Sequence, residues 1–336
     1  MEHTNRHLIR YLKSVLFLVL VIVVIGGITR LTDSGLSMVE WQPVMGILPP
    51  LTHTAWEQLF LQYQTYPDFY LKQSDIDLAG FKIIFFWEYL HRVLGRIVGL
   101  VALIPFIVLW IKGQREWMFR LGMIPVLIGI QGFIGWWMVK SGLVDRPSVS
   151  HIRLAIHLLM AFFIAGYTYW HILRIRYESY ALSFSPVARL SRFLMMGLIL
   201  QVLYGVLLAG LDGGYVFPTW PKMGDAWIAD AVFLVEGFRN FFYNPFMLQF
   251  IHRWIPGILL ILIGVLVFKS WTASTHIRIA ARQFTAVFIL QIVAGISTLL
   301  TGVFIPIAIL HQFIGLILLL LGVKLIYFSH YDELKG

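Results

Sequence analysis

Residues 85–100 read FFWEYLHRVLGRIVGL. One acid, one histidine and two arginines (Glu88, His91, Arg92 and Arg96) stand in a stretch whose flanks are apolar enough for a lipid bilayer. A charged side chain at the centre of a bilayer costs about 3 kcal/mol on insertion scales, so such residues are kept for a purpose. The environment of this stretch decides the fold, and its polar residues frame the question of function.

The surrounding chain is as apolar as the stretch itself. Of 336 residues 59% are hydrophobic and only 13% are charged, and the mean hydropathy is +0.80. Soluble domains are less than about half apolar, with about a quarter of residues charged. Runs of about 20 apolar residues mark membrane-spanning helices. Eight are legible, at 14–30, 82–111, 121–140, 152–173, 193–211, 248–269, 284–303 and 307–328. The expected fold is an all-α integral membrane protein. Alternating segments of roughly ten residues, the mark of a membrane β-barrel, are missing from the pattern. The first run has a basic flank but leads to no small-residue cleavage site, so it reads as a span rather than a removed signal.

Charge sets the expected orientation. Arg6, Arg10 and Lys13, then Lys112, Arg115 and Arg120, then Arg174, Arg176, Arg189 and Arg192, then Lys269, Arg278 and Arg282 fall in alternate connections. The opposite loops hold Asp33, Glu40, Glu57, Asp68, Asp75, Asp77, Asp145, Asp212, Asp225, Asp230 and Glu236. The positive-inside rule then places both termini in the cytoplasm. This distribution accounts for the net charge of +9 with membrane lipid as the partner and no nucleic acid. With zero cysteines, disulfides, iron–sulfur clusters and thiolate metal sites are excluded, and histidine carries any metal chemistry.

The outer connections alternate long and short: 31–81, 141–151, 212–247 and 304–306. Local sequences repeat with them. EYLHRVLG around His91 matches QFIHRWIPG around His252. IGIQGFIG around Gln131 matches FILQIVAG around Gln291, and HLLMA at His157 matches HQFIG at His311. Trp41, Pro43 and Gly46 in the first long loop correspond to Trp220, Pro221 and Gly224 in the second. These matches predict two four-helix halves, 1–180 and 181–336, inserted in the same direction as parallel repeats.

His91, His157, His252 and His311 fall in the second, fourth, sixth and eighth runs, all of which go from outside to inside. Each is placed within two or three turns of its outer start. A lone membrane histidine is more often a packing residue, but pairs on facing helices are the usual bis-imidazole grip on haem iron, and the pair is repeated. Zinc, the competitor, takes three or four ligands. Arg92 and Arg253 follow two of these histidines and are placed to clamp haem propionates; snorkelling to the interface is the plainer reading. Glu88 shares a helix face with His91 and is a candidate general base, or a partner for Arg92 one turn on. Its counterpart is Gln249, which takes no proton. The asymmetry suggests one reaction site and one electron-transfer or structural haem.

GGITRLTDSGLSMVEWQPVMGILPP, FKIIFFWEYLHRVLGR, LDGGYVFPTWPKMGDAWI and IHRWIPG, in this order, resemble the signatures of the haem A synthase family, COX15/CtaA, over nearly the whole chain. The resemblance implies an oxidoreductase that turns a methyl group of haem O into the formyl of haem A by successive hydroxylation and loss of water, for cytochrome oxidase biogenesis. It implies that His91 and His157 grip the substrate haem, that His252 and His311 grip haem b, and that Glu88 is catalytic. It also implies a haem O synthase as supplier, an electron acceptor of unnamed class, and residence in the bacterial plasma membrane or the mitochondrial inner membrane. A homo-oligomer is left open. Members with cysteine pairs in their outer loops are a different branch; this chain resembles the cysteine-free one. Trp41, Trp56, Trp220 and Trp227 are candidate lid residues over the haem pockets, or members of an interfacial aromatic belt. Two other readings compete: a di-haem b-type electron-transfer protein and a parallel-repeat transporter.

Overall fold

The computed structural model describes residues 2–38, 48–113, 121–142, 148–177 and 185–331. Trp41, Pro43, Gly46, Glu40, Arg115, Arg120, Asp145 and the expected boundary at 180/181 lie outside them. The described residues are helical, with one isolated β-bridge between Met223 and Ala226. In chain order the α-helices are α1 (Glu2–Leu31), α2 (His53–Tyr63), α3 (Pro67–Lys72), α4 (Leu78–Ile111), α5 (Met123–Val139), α6 (His151–Tyr177), α7 (Pro186–Gly210), α8 (Asn240–Tyr243), α9 (Pro245–Ser270), α10 (Thr275–Leu300) and α11 (Ile305–Tyr331). Short 3-10 turns at Gly213–Tyr215, Asp230–Phe233 and Gly237–Arg239 fill the second long connection.

Seven of these helices, α1, α4, α6, α7, α9, α10 and α11, are long and apolar enough to cross a membrane. The third hydrophobic run forms α5, which has 17 residues and is thus about 25 Å long, short of the roughly 30 Å hydrocarbon core. Large apolar side chains are exposed along the spans, including Phe17, Ile111, Phe163, Ile261 and Phe268, the surface a helix presents to lipid rather than to water.

Local chemistry fixes the helix starts. Asp77 accepts the Gly80 N–H at 2.8 Å to open α4, Ser185 the Ala188 N–H at 3.0 Å to open α7, and Asn244 the Phe246 N–H at 2.9 Å to open α9. Each side-chain oxygen satisfies a backbone donor that the first turn leaves orphaned. Pro186 and Pro245 sit at first positions, where the missing N–H costs nothing.

The chain divides into two compact units, residues 17–164 and residues 1–16 with 165–336. In the first, α4 packs on α5 and on α2. Its outer loop is held by an aromatic cluster of Tyr63, Phe81 and Phe85, with Trp56, Phe60 and Phe69 against it. Trp56 meets Phe85 edge-on at 4.9 Å between centroids, and Tyr63 stacks on Phe81 at 5.2 Å. Within the cluster Asp68 is buried, accepting the Tyr63 hydroxyl at 2.7 Å. Burial pushes its carboxyl up to about 6, against the opposing pull of the Tyr63 hydroxyl and the Lys72 ammonium. In the second unit α10 packs on α11, α9 on α7 and α10, and α7 on α11. Its long loop folds over Met223, Val232 and Met247. Asn240 and Asn244 pin it by donating to the Val232 carbonyl at 2.9 and 3.1 Å.

Candidate functional site

Each of the four histidines faces a glycine on a neighbouring helix. A Cβ built on Gly26 would lie 2.9 Å from Cε1 of His91; on Gly135, 3.0 Å from Cε1 of His157; on Gly205, 2.8 Å from Cε1 of His252; on Gly295, 2.8 Å from Cε1 of His311. Ordinary carbon–carbon contact is about 3.5–4.0 Å. Any side chain at these four positions would therefore push the ring away. The order of distances is also shared: Cε1 is nearest, then Nδ1, then Nε2. In all four cradles the ring therefore lies with Nε2 as the nitrogen farther from the glycine.

Three cradles carry a glutamine one turn before the glycine. Gln131, Gln201 and Gln291 precede Gly135, Gly205 and Gly295 by four residues, which puts both on one helix face. The Gln131 amide donates to the His157 carbonyl at 3.1 Å and sits 3.2 Å from its Nδ1. Gln201 does the same to His252, at 3.0 Å to both atoms. Gln291 approaches Nε2 of His311 at 3.5 Å. On α1 the equivalent residue is Ile22, so the His91 cradle has no amide.

The paired rings leave room for a metal. His252 and His311 are 6.4 Å apart between centroids and nearly perpendicular, at 87°. Two imidazole nitrogens on one ion stand about 4 Å apart, at about 2 Å per bond, and this separation admits them. His157 is within electrostatic reach of His91. Oε1 of Gln131, Gln201 and Gln291 is buried with no hydrogen-bond partner. Buried polar atoms are rarely left so unless something else completes the site. No cluster of three or more His, Asp or Glu capable of holding a metal occurs among the described residues. Two imidazoles per site with glycine clearance fit a haem.

Along their helices three of the histidines stand within about two turns of the start. His157, His252 and His311 are the seventh or eighth residues of their helices, whereas His91 is the fourteenth of α4. The reason is local: α4 begins early, and its first turn, with Phe81, belongs to the aromatic cluster of the loop.

Glu88 is buried and fully hydrogen-bonded. Its Oε1 accepts from Arg92 Nη2 at 2.6 Å and Nε at 3.1 Å. Its Oε2 accepts from the Ser37 hydroxyl at 2.7 Å and the Met38 N–H at 2.8 Å. Four donors converge on the carboxylate and fix its position. The i,i+4 pairing with Arg92 is thus present beside any role in chemistry. Arg92 Nη2 also donates to the Met38 carbonyl at 2.9 Å, so the pair staples the start of the outer loop to α4.

Gln249 and Arg253 form the corresponding staple in the other unit. Arg253 donates to Gln249 Oε1 at 2.9 Å and to the carbonyls of Phe217, Thr219 and Lys222 at 2.6, 2.8 and 3.1 Å. Gln249 donates to the Gly213 carbonyl at 2.9 Å. Arg253 Nε is buried and unpartnered. Arg96 has Gly257 at the position equivalent to it. Of the tryptophans, Trp56 belongs to the loop cluster, while Trp220 and Trp227 are exposed. The glycines, Gln201 and Ser37 were not singled out by the sequence. A Gln-x-x-x-Gly spacing shared by three helices was the available signal for the first two.

A model of the COX15-CtaA family, described as a cytochrome oxidase assembly protein, matches residues 9–323. The chain is 41% identical to a heme A synthase of Rhizorhabdus wittichii, covering 93% of this chain and 91% of that one. It is 38% identical to one of Flavobacterium psychrophilum, covering 94% and 96%, and 38% identical to one of Bartonella tribocorum, covering 100% and 94%.

Proposed function

The chain belongs to the COX15-CtaA family, and from that membership we infer that it is a haem A synthase, a membrane oxidoreductase that converts haem O into haem A. The observation that carries the site assignment is the cradle of histidine on glycine built four times, with a titratable carboxylate one turn from only one of the four histidines. On this reading His91 and His157 hold the substrate haem, and His252 and His311 hold haem b. Eight helices span the membrane, α5 included, as two parallel four-helix halves with functional limits at 1–180 and 181–336, both termini on the cytoplasmic side. The membrane is the bacterial plasma membrane, or the mitochondrial inner membrane in a eukaryote. A haem O synthase supplies the substrate.

Turning a methyl into a formyl group removes four electrons and requires an acceptor outside this chain. Haem b, when bound, supplies one-electron transfer. The residues of the chain do the rest. Glycine clearance and the glutamine amides fix the orientation of the histidine rings, which sets where the porphyrin edge can lie. Glu88, one turn from His91 on the same face, takes up protons released as the substrate carbon is oxidised. Arg92 holds Oε1 of that carboxylate in place throughout. Arg253, through its unpartnered Nε, is the donor open to a propionate; Arg92 is assigned the same role on the substrate side.

Haem extraction tests the reading. Protein expressed with a haem O source should yield formylated haem, and Glu88→Gln should abolish that yield while both haems remain bound. An unchanged yield would overturn the role of Glu88 and favour a di-haem electron-transfer protein. A purified protein with no Soret band would favour transport instead.

A further inference from the structure

The two staples differ in one respect that the Glu88/Gln249 exchange alone does not explain. Counted from the cradle glycines Gly26 and Gly205, the eighth residues are Ser34 and Gly213, the eleventh are Ser37 and Val216, and the twelfth are Met38 and Phe217. The backbone contacts correspond: Arg92 donates to the Met38 carbonyl and Arg253 to the Phe217 carbonyl. At the eighth position they part. Gln249 donates directly to the Gly213 carbonyl at 2.9 Å. Glu88, as a carboxylate, has no proton to give to the equivalent carbonyl of Ser34. The Ser37 hydroxyl stands between them, 2.7 Å from Glu88 Oε2 and 3.0 Å from the Ser34 carbonyl oxygen. Where the acid is replaced by an amide, the hydroxyl is replaced by a valine.

A hydroxyl carries one proton and two lone pairs, so Ser37 has two acceptors in range and can donate to one of them at a time. Both are deeply buried with it: Ser34 is 0%, Ser37 2% and Glu88 3% exposed. With Glu88 ionised, Ser37 donates to Oε2. With a proton on Oε2, the carboxyl donates to Ser37 Oγ, and Ser37 turns its own proton to the Ser34 carbonyl. Glu88 gains one proton and no bond between heavy atoms changes; the Ser34 carbonyl keeps the Ser37 N–H at 3.4 Å and Oε2 the Met38 N–H at 2.8 Å in both states. An unpaired buried group would otherwise cost about 1–3 kcal/mol in one of the two states. We propose that Ser37 is a positioning residue for the proton-accepting step: its hydroxyl rotates between Glu88 and the Ser34 carbonyl, letting the carboxyl load and release a proton without moving. This rests on the reading of Glu88 as the base.

The test compares Ser37→Thr with Ser37→Val in the full-length, haem-loaded protein, because the two side chains share a shape and differ in the hydroxyl. Ser37→Ala is a further variant that needs no added room. Ser37→Val and Ser37→Ala should lower kcat for haem A formation by about tenfold or more, with KM and the absorption spectrum unchanged, and Ser37→Thr should restore most of the rate. In protein not turning over, the infrared carboxyl band identified by its loss in Glu88→Gln should shift in the Val and Ala variants and stay in place in the Thr variant. Equal loss in the Thr and Val variants, a kcat within twofold of the parent in Ser37→Ala, or an unmoved infrared band would each overturn the proposal. Should Glu88→Gln retain full activity, the reading of Glu88 fails first; should it abolish activity while Ser37→Val does not, only the role of Ser37 falls.

Discussion

Gly205→Ala puts the cradle to a quantitative test. The added Cβ would stand 2.8 Å from Cε1, 3.3 Å from Nδ1 and 3.6 Å from Nε2 of His252. Relaxation from 2.8 Å to ordinary contact at about 3.5–4.0 Å moves the ring by roughly 0.7–1.2 Å. The cost in fold stability is modest, because overpacking by one carbon costs about 1–3 kcal/mol while alanine recovers about 1 kcal/mol over glycine in a helix. The effect at the site is larger, since liganding geometry has to be held within about 0.5 Å, and disturbing a ligand's support lowers affinity by about 10–100-fold. Purified Gly205→Ala should therefore fold and insert, yet lose most haem from the His252/His311 site, with the remainder shifting from low to high spin. Haem-to-protein ratio by pyridine extraction, with the absorption and paramagnetic resonance spectra, reads this directly. Gly264→Ala, on the helix that carries His252, is the control, because nothing lies within 4 Å of its added Cβ. Full occupancy with an unchanged spectrum in Gly205→Ala would refute the cradle, and equal loss in Gly264→Ala would assign the effect to the loss of a helical glycine rather than to contact with the ring.

Three further outcomes are expected. Gln201→Leu should leave haem bound but alter the midpoint potential of the His252/His311 haem, measured by redox titration, because it removes the amide beside Nδ1; an unchanged potential would count against the contact. Asp68, with a folded carboxyl pushed up to about 6 from 3.8 by burial, binds more protons in the native state between those values, so stability should fall as pH rises through that window, by up to about 3 kcal/mol, and level off above it. Thermal denaturation of Asp68→Asn should show that slope flattened, and a slope identical to the parent would refute the assignment. Arg253→Gln strips the carbonyls of Phe217, Thr219 and Lys222 of a shared donor, so amide exchange across 217–224 should accelerate while α7 and α9 keep their protection.

Hydropathy is a local, one-dimensional property, and the sequence alone accordingly determined the membrane class and eight apolar runs, seven of which form helices long and apolar enough to cross a membrane. The duplicated His-Arg pairs also marked which residues recur in the chain and that Glu88 does not. What the tertiary structure decided is everything that depends on residues far apart in the chain. Gly26 and His91 are separated by an entire outer loop, so no spacing rule joins them, and a glycine in an apolar run reads as an ordinary small residue until a ring is found against it. Glu88 and Ser37 lie 51 positions apart. The sequence marked Glu88 as a group with something to explain. Only the fold supplied its four donors, the Ser37 hydroxyl among them.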